Sequence, residues 1–252
     1  MKTIVKAAPD IKEKDLITLI HRSAEGGEVI YAGRNRLVAT DFCGSRVVVK
    51  QFASGTKKRL VYAVFKSKAH KSFCNATELL VRGIDTPQPV GYVEIRGTSN
   101  TLVDSYYICK YDDKMSLIDA LQEYGRPCLS AFAAFVALLH EKGVVHKDLN
   151  NTNVRVAYGE GNFSFSLIDL NRMTISPKGK SVSPGVRFKN LCRFSSYDDD
   201  FVFFLREYLR YANLPDTLLP KAISAKKRHD AHVDFKKKLK HPFRKHETNL
   251  KD

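Results

Sequence analysis

The sequence lacks the cysteine pattern of a disulfide framework or a structural zinc site. Its five cysteines are an odd number, and none forms a Cys-x-x-Cys pair. Such a scattered set is typical of reduced thiols in a cytosolic protein. The cysteines are Cys43, Cys74, Cys109, Cys128 and Cys192.

Long apolar segments are also missing. The longest apolar stretch, residues 129–139, is about half of the ~20 residues that a helix needs to cross a bilayer. The first residues, Met1 to Lys6, include no apolar segment of signal-peptide length. We therefore expect a protein that stays inside the cell and crosses no membrane.

Acidic residues are scarce relative to basic ones. The chain has 42 lysines and arginines against 27 aspartates and glutamates, a net charge of +15. This excess favours a polyanionic partner, which could be nucleic acid, an anionic membrane surface or a phosphorylated substrate. Much of it lies in residues 221–252, which we interpret either as a membrane or substrate tether or as a solvated tail.

The chain is long enough for one large core or two small lobes, and it contains no internal repeat. From Glu28 to Phe52, β-branched runs alternate with glycine-containing turns, which predicts hairpin strands. Apolar residues at helical spacing follow from Ala69 to Leu80, and Gly83 can end that helix. A further strand is expected at residues 105–109, and an extra helix around residues 58–65.

The second half of the sequence favours helices. Ser130 could cap a helix that ends at Gly143, and Phe201 to Tyr208 form another apolar stripe. We predict an α+β fold with a β-rich N-lobe and a mainly α-helical C-lobe. The expected divisions are an N-lobe of about residues 1–110, a hinge at about 111–114, a C-lobe of about 115–220 and a basic segment at 221–252.

The strongest motif runs from Val144 to Asn153. It matches His-x-Asp-Leu-x-x-x-Asn, the catalytic loop of protein-kinase-like enzymes, with Asp148 and Asn153 at the two chemical positions. Phosphoryl transfer needs a carboxylate at the acceptor hydroxyl and an amide oxygen at a magnesium ion. One tight loop can supply both groups, although a polar loop that merely caps the preceding helix is the alternative.

Two further residues have the order expected of such an enzyme. Asp169 follows an apolar strand 21 residues after Asp148, where kinases place their main magnesium ligand, although Leu170 and Asn171 replace the usual Phe and Gly. Lys50 ends the run Val47-Val48-Val49 and matches the strand-borne lysine that contacts the α- and β-phosphates.

Two weaker candidates complete the nucleotide site. Glu78, on the helix after Lys50, is a plausible ion-pair partner for that lysine. Gly33 lies where the phosphate-covering loop of a kinase usually has several glycines, so backbone amides near it could contact phosphate.

Residues 29–211 resemble the lipopolysaccharide kinase (Kdo/WaaP-type) family of the protein-kinase-like superfamily. The similarity is carried by the segments 31–36, 48–52, 78–89, 146–153 and 168–172. It is strengthened by the absence of an Ala-Pro-Glu segment after Asp169.

The resemblance implies an ATP- and Mg²⁺-dependent kinase that phosphorylates a sugar hydroxyl, on Kdo or heptose, in the inner core of lipopolysaccharide. It implies that Asp148 is the base, that Asn153 and Asp169 are the metal ligands, and that Lys50, paired with Glu78, anchors the phosphates. The partners would be ATP, the lipopolysaccharide core or a lipid A–Kdo acceptor, and the anionic cytoplasmic face of a bacterial inner membrane.

Four alternatives stay open from the residues alone. The same fold could serve an atypical protein Ser/Thr kinase or a small-molecule kinase. A different class would be a non-catalytic pseudokinase or a basic nucleic-acid-binding module. Retention of Lys50, Asp148, Asn153 and Asp169 argues against a pseudokinase. No recognised nucleic-acid motif is present, so we expect no nucleic-acid partner.

Overall fold

The computed structural model describes residues 1–53, 61–194 and 198–240, and in them a large antiparallel sheet precedes a mainly helical part. The sheet has six strands in the order β1-β5-β6-β4-β3-β2. The strands are β1 (Lys2–Ala7), β2 (Glu28–Ala32), β3 (Asn35–Phe42), β4 (Ser45–Phe52), β5 (Pro89–Arg96) and β6 (Leu102–Lys110). The predicted hairpins over residues 28–52 are confirmed as β2, β3 and β4.

Two helices pack with this sheet. Helix α1 (Glu13–Glu25) buries Leu16, Leu19 and Ile20, one stripe at helical spacing, in a core shared with the valines of β4 and β5. Helix α2 (Lys68–Val81) begins at Ser67, whose Oγ accepts a hydrogen bond from the His70 amide at 3.0 Å. The extra helix expected around residues 58–65 lies partly outside the described residues, and its described part, 61–64, is helical.

The part after residue 114 holds most of the helices and two small sheets. Residues 111–114 have no regular structure and separate it from β6. Its elements are β7 (Met115–Ser116), α3 (Leu117–Glu141), β8 (Val144–His146), β9 (Val154–Gly159), β10 (Asn162–Leu167), β11 (Met173–Ile175), α4 (Pro184–Leu191), α5 (Asp198–Tyr211) and α6 (Leu219–Lys240). The α+β class is thus confirmed, while the lobe boundaries stay predictions.

The helix that was expected to begin at Ser130 begins earlier. Ser116 caps α3, with its Oγ accepting from the Asp119 amide at 3.2 Å, and the helix is interrupted at Gly125, where φ is 56°. Ser130 lies inside the second part of α3, and its hydroxyl donates to Glu207 of α5. The cap assignment was wrong because Pro127 already starts this part, and proline fits a first helical turn.

The core of the helical part is aromatic. Phe132 of α3 is fully buried, and its ring centroid lies 5.3–5.7 Å from those of Phe165, Phe194 and Phe204. These contacts pack α3 against β10 and α5. The strands and loops that follow α3 therefore begin from a rigid support.

A buried imidazole connects three helices. The amide oxygen of Asn190 can only accept, so His140 Nε2 donates to it at 3.0 Å, and His140 Nδ1 accepts from the Tyr208 hydroxyl at 2.7 Å. Burial and, to a smaller extent, the nearby Arg187 charge lower the pKa of His140 to about 4, against the opposing effect of its hydrogen bond to Asn190. His140 is therefore neutral in the folded protein near pH 7.

We predict a matching pH dependence of stability. Below about pH 6.5 the unfolded chain protonates His140 and the folded chain does not, so the stability from this group is lost as the pH falls towards 4. The loss is about 3 kcal/mol between pH 7 and pH 4. Urea unfolding at a series of pH values should show a shallower pH slope for His140→Gln than for wild type.

The matched control is His21→Gln, because His21 is exposed on α1. It should keep the wild-type slope. Identical slopes for wild type and His140→Gln would contradict a neutral, buried imidazole.

Candidate active site

Lys50 and Asp169 form an ion pair that joins the large sheet to the helical part. Lys50 Nζ lies 2.6 Å from Asp169 Oδ1, although the two residues are 119 positions apart in the chain. The side chains are 14% and 25% exposed, so solvent screens the pair less than it would a surface pair. Lys50 is held on β4, which pairs with β3 and β6 on its two sides.

Asp169 has an unusual backbone. Its φ and ψ of 59° and 51° are left-handed, a conformation that Asp tolerates better than most residues but that still costs energy. This conformation directly follows the extended residues after β10, and Asn171 Nδ2 donates to Asp169 Oδ1 at 2.7 Å. The carboxylate is thus fixed between a lysine of β4 and an amide of its own turn.

The charge of Asp169 is maintained despite its partial burial. Burial alone would raise the pKa of this carboxyl, but the Lys50 ammonium and the hydrogen bonds from Lys50 and Asn171 outweigh burial and lower the pKa. Asp169 is therefore anionic at neutral pH, as a cation ligand must be.

The residues that replace Phe and Gly after Asp169 both have defined contacts. Leu170 is buried, and its carbonyl oxygen accepts a hydrogen bond from Asn75 Nδ2 of α2 at 2.7 Å. Asn171 holds Asp169 as described above. The departure from the usual kinase triplet therefore still provides a fixed carboxylate.

The catalytic-loop residues fold into a tight turn sequence after β8. Asn153 Nδ2 donates to the Asp148 carbonyl oxygen at 2.8 Å, and Leu149 is fully buried beneath the loop. Asn150 Oδ1 accepts from the backbone amides of Thr152 and Asn153 at 3.0 and 3.1 Å. Because the Asn153 amide nitrogen is used within the loop, its oxygen is the atom that remains to face a cation.

His146 connects this loop to the loop of Asp169. Its Nε2 donates to the Ile168 carbonyl at 2.9 Å, and its Nδ1 accepts from the Asp148 amide at 3.3 Å. Burial lowers the pKa of His146, against opposing contributions from the Ile168 bond and from the Asp169 and Asp148 charges. This neutral imidazole positions both loops.

Asp148 lies at the open side of the site. Its carboxylate is 30% exposed, and Oδ2 lies 3.4 Å from Nη1 of Arg172. His146 is hydrogen-bonded to the Asp148 amide and to the carbonyl of Ile168, the residue before Asp169, so one imidazole joins the loops of the two aspartates. The structure thus gathers Lys50, Asp148, Asn153 and Asp169 in one place.

This arrangement coincides with a family match. The sequence profile of the lipopolysaccharide kinase (Kdo/WaaP) family matches residues 40–183, which include all four of these residues. The chain belongs to the lipopolysaccharide kinase (Kdo/WaaP) family. It is accordingly a kinase, a phosphotransferase of the α+β fold described above.

A solved structure agrees on the fold. A structure titled "WaaP in complex with acyl carrier protein" is similar over 92% of this chain and 98% of that chain, with a TM-score of 0.64 and 18% identity. A Rio2 kinase–ADP/Mg²⁺–phosphoaspartate complex from Chaetomium thermophilum covers 88% of this chain and 71% of that chain at 14% identity, but its TM-score of 0.44 is too low to support an argument. No curated protein sequence matches the chain.

Glu78 is placed differently from our expectation for this family member. It pairs at 2.8 Å with Arg82, the residue that follows α2, and Lys50 pairs with Asp169 instead. Arg82 also donates to the carbonyl oxygens of Lys142 and Ser176, the latter at 2.7 Å. The predicted Lys50–Glu78 pair was wrong because the local sequence predicts the helix but not which of its residues reaches the site. Glu78 instead orients Arg82 between α2 and the helical part.

Gly33 lies in the turn between β2 and β3. The pairing of Asn35 with Phe52 places this turn beyond the end of β4 that carries Lys50. The Gly33 amide donates to the Asn35 carbonyl at 3.0 Å, so it is already used within the turn. A Cβ at Gly33 would lie 2.4 Å from the hydroxyl oxygen of Tyr31, an exposed side chain that can move aside. The contact of Gly33 with phosphate stays a prediction.

Three residues of the site were missed by sequence reasoning or left unassigned. Asn75 contacts the loop after Asp169, Asn171 contacts Asp169 itself, and Arg172 contacts Asp148. The sequence does show that Asn75 and Glu78 are one turn apart on the predicted helix, so that either of them could contact the loop after Asp169. Only the helix rotation decides between them.

We therefore predict that two neighbouring substitutions on α2 differ in their effect on activity. Asn75→Ala leaves the Leu170 carbonyl without its partner and loosens the Asp169 turn, which should lower kcat about fivefold or more, as expected for one lost hydrogen bond. Glu78→Ala should leave KM for ATP within about twofold, because its partner Arg82 is held by other bonds. Steady-state ATP turnover by both variants is the measurement, and a larger loss for Glu78→Ala would contradict the assignment.

Proposed function

We propose that this kinase transfers the γ-phosphoryl group of ATP to a sugar hydroxyl, on Kdo or heptose, of the lipopolysaccharide inner core. The observation that supports this most is the convergence of Lys50, Asp148, Asn153 and Asp169 on two hydrogen-bonded loops within the region that matches the family. The family supports the acceptor class, and the geometry supports the reaction type.

The residues present fit ATP and magnesium. Mg²⁺ is usually held by one or two carboxylates together with substrate phosphates and water, rather than by an all-protein cage. Asp169 offers one anionic carboxylate and Asn153 one amide oxygen. In keeping with this, the described ranges contain no group of three or more His, Cys, Asp or Glu side chains that could hold a metal. A bound magnesium ion would neutralise phosphate charge.

Each side chain then has a role that follows from its position. Lys50 is the ammonium that contacts the nucleotide phosphates, in exchange for part of its contact with Asp169. Asp148 orients the acceptor hydroxyl and accepts its proton, while Asn153 and His146 hold the Asp148 backbone in place. Phosphoryl transfer depends mainly on such positioning and on charge neutralisation.

Two aspartate substitutions test these roles. Asp148→Asn should lower transfer by about 10²–10⁴-fold, the usual contribution of a general base, while ATP affinity stays within about threefold. Asp169→Asn should lose magnesium-dependent nucleotide binding. Phosphate incorporation into a lipid A–Kdo acceptor and calorimetric titration with Mg·ATP are the two measurements.

Asp216→Asn is the control, because this exposed aspartate lies in a short helical turn outside the site. A generic protein and an aminoglycoside serve as competing acceptors, and better transfer to either one would refute the proposed acceptor. Full activity of Asp148→Asn would refute the proposed base. Mass spectrometry of core glycolipid from cells with and without the protein tests the same acceptor in vivo.

We further propose that the enzyme binds an anionic membrane surface through the end of α6. The first turns of α6 are packed: Ala222 is buried, and Lys226 Nζ lies 3.1 Å from the Phe194 carbonyl oxygen. Later in the helix, Phe235 and Leu239 are 60% and 65% exposed and one turn apart, with lysines between and beside them in the sequence. Across the described ranges, none of the helices has both the length and the apolar composition to span a bilayer.

Vesicle binding tests this tether. Deleting residues 234–252 removes seven lysines and arginines against three acidic residues but leaves the packed turns of α6. At about 1 kcal/mol for each juxtamembrane Lys or Arg, the deletion should weaken binding to phosphatidylglycerol vesicles at low salt by tenfold or more. The control replaces the exposed Lys2, Lys12 and Lys14 with glutamine. Equal flotation of the full chain and the truncated chain would exclude the tether.

A further inference from the structure

Arg172 has an unusual position beside the proposed base. One of its guanidinium nitrogens lies 3.4 Å from Asp148 Oδ2, which is longer than the ~2.7–2.9 Å of a good charge-assisted hydrogen bond. The Arg172 side chain is 52% exposed, so the pair adds little to stability. Stability therefore gives no sufficient reason for an arginine at this place.

Two other arginines of the structure are used differently. Arg82 donates to three acceptors, and Arg187 donates to the Val182 carbonyl and to Glu141. Arg172 makes one long contact with the described residues, although a guanidinium carries five donors. Most of its donors are available to a ligand.

A second cation lies next to it. Strands β8 and β11 pair His146 with Met173, so Lys147 and Arg172 occupy the next position beyond this pair. Lys147 is exposed and makes no ion pair within the part of the chain that the structure describes. Asp148 is therefore contacted by Arg172, and the exposed Lys147 lies next to it in the chain.

The nucleotide phosphates do not account for these cations. Lys50 and Asp169 lie where the large sheet meets the loop after β10, whereas Arg172 contacts Asp148, the proposed base. The acceptor hydroxyl must approach the same carboxylate to give up its proton. An acceptor with a negative charge near this hydroxyl would be repelled by Asp148 unless a cation lay between them.

We propose that Arg172, assisted by Lys147, binds an anionic group, a carboxylate or a phosphate, that the acceptor carries next to its reacting hydroxyl. The planar guanidinium can hold either group through two parallel hydrogen bonds, which Lys cannot do. This inference rests on the proposed function and adds the chemical feature by which the site selects its acceptor. Arg172 is then a specificity-determining residue.

The test compares acceptors that carry a carboxylate, its neutral ester or a phosphate. Initial rates are measured with a Kdo-bearing acceptor, with its carboxyl methyl ester and with a heptose phosphate, for wild type, Arg172→Ala, Arg172→Lys and Arg193→Ala. Arg193, exposed after α4, is the matched control for loss of a positive charge. Thermal unfolding of each variant checks that it is folded.

We expect Arg172→Ala to raise KM for the carboxylated or the phosphorylated acceptor by about 10–100-fold, and to remove the preference for acid over ester. The KM of Arg172→Lys should lie between those of wild type and Arg172→Ala, and Arg193→Ala should behave as wild type. A rise in KM for the Kdo-bearing acceptor identifies the anionic group as a carboxylate, and a rise in KM for the heptose phosphate identifies it as a phosphate.

Two results would overturn the inference while the proposed function stands. One is an equal fall of kcat with acid and ester, which would mean that Arg172 only positions Asp148. The other is an Arg172→Ala variant whose kinetics are the same as those of Arg193→Ala.

If wild type transfers phosphate to none of these acceptors, the proposed function fails and binding decides the inference separately. Calorimetric titration with free Kdo and with its methyl ester, in the presence of Mg·ADP, then gives the answer. Preferential binding of the acid that is lost in Arg172→Ala supports the anion site, and equal binding of the two compounds excludes it.

Discussion

The ion pair between Lys50 and Asp169 is the contact on which the site depends. It is the point where a strand of the large sheet meets the loop that follows β10, and it lies partly out of solvent. A lysine and an aspartate 119 residues apart can meet only if the sheet and the helical part are held at a fixed relative position. That position is maintained elsewhere, by the bonds of Arg82 to the carbonyl oxygens of Lys142 and Ser176 and by the bond of Asn75 to the Leu170 carbonyl.

The same constraint explains why many polar side chains form hydrogen bonds that hold the loops of the site in place. His146 ties the two loops together, Asn153 and Asn150 fix the turn after Asp148, and Asn171 holds Asp169 in a left-handed conformation that it would otherwise leave. A charged or polar group that must be positioned to within a few tenths of an ångström needs such support. The groups that remain exposed, Asp148 and Arg172, are the ones that a substrate can reach.

Much of this could be predicted from the sequence, and the remainder has a common physical cause. The strands around Lys50, the loop of Asp148 and Asn153, and the position of Asp169 follow from local patterns, because strand alternation and tight turns are decided by near neighbours. Glu78 and Ser130 were misassigned because helix rotation and helix start depend on distant packing: Glu78 turns towards Arg82, and Ser130 lies within a helix that continues past a break at Gly125. Asn75 was missed for the same reason. The family resemblance, carried by short motifs, was confirmed over residues 40–183.

The central claim is that Asn153 and Asp169 hold one cation beneath a triphosphate that Lys50 contacts, with Asp148 facing the acceptor. A crystal structure of the protein with Mg²⁺ and a non-hydrolysable ATP analogue tests this most directly. The account predicts a cation about 2.0–2.1 Å from a carboxylate oxygen of Asp169 and from the amide oxygen of Asn153, with Lys50 within hydrogen-bonding distance of a phosphate oxygen. A nucleotide bound elsewhere, or bound with its phosphates turned away from these side chains, would contradict it.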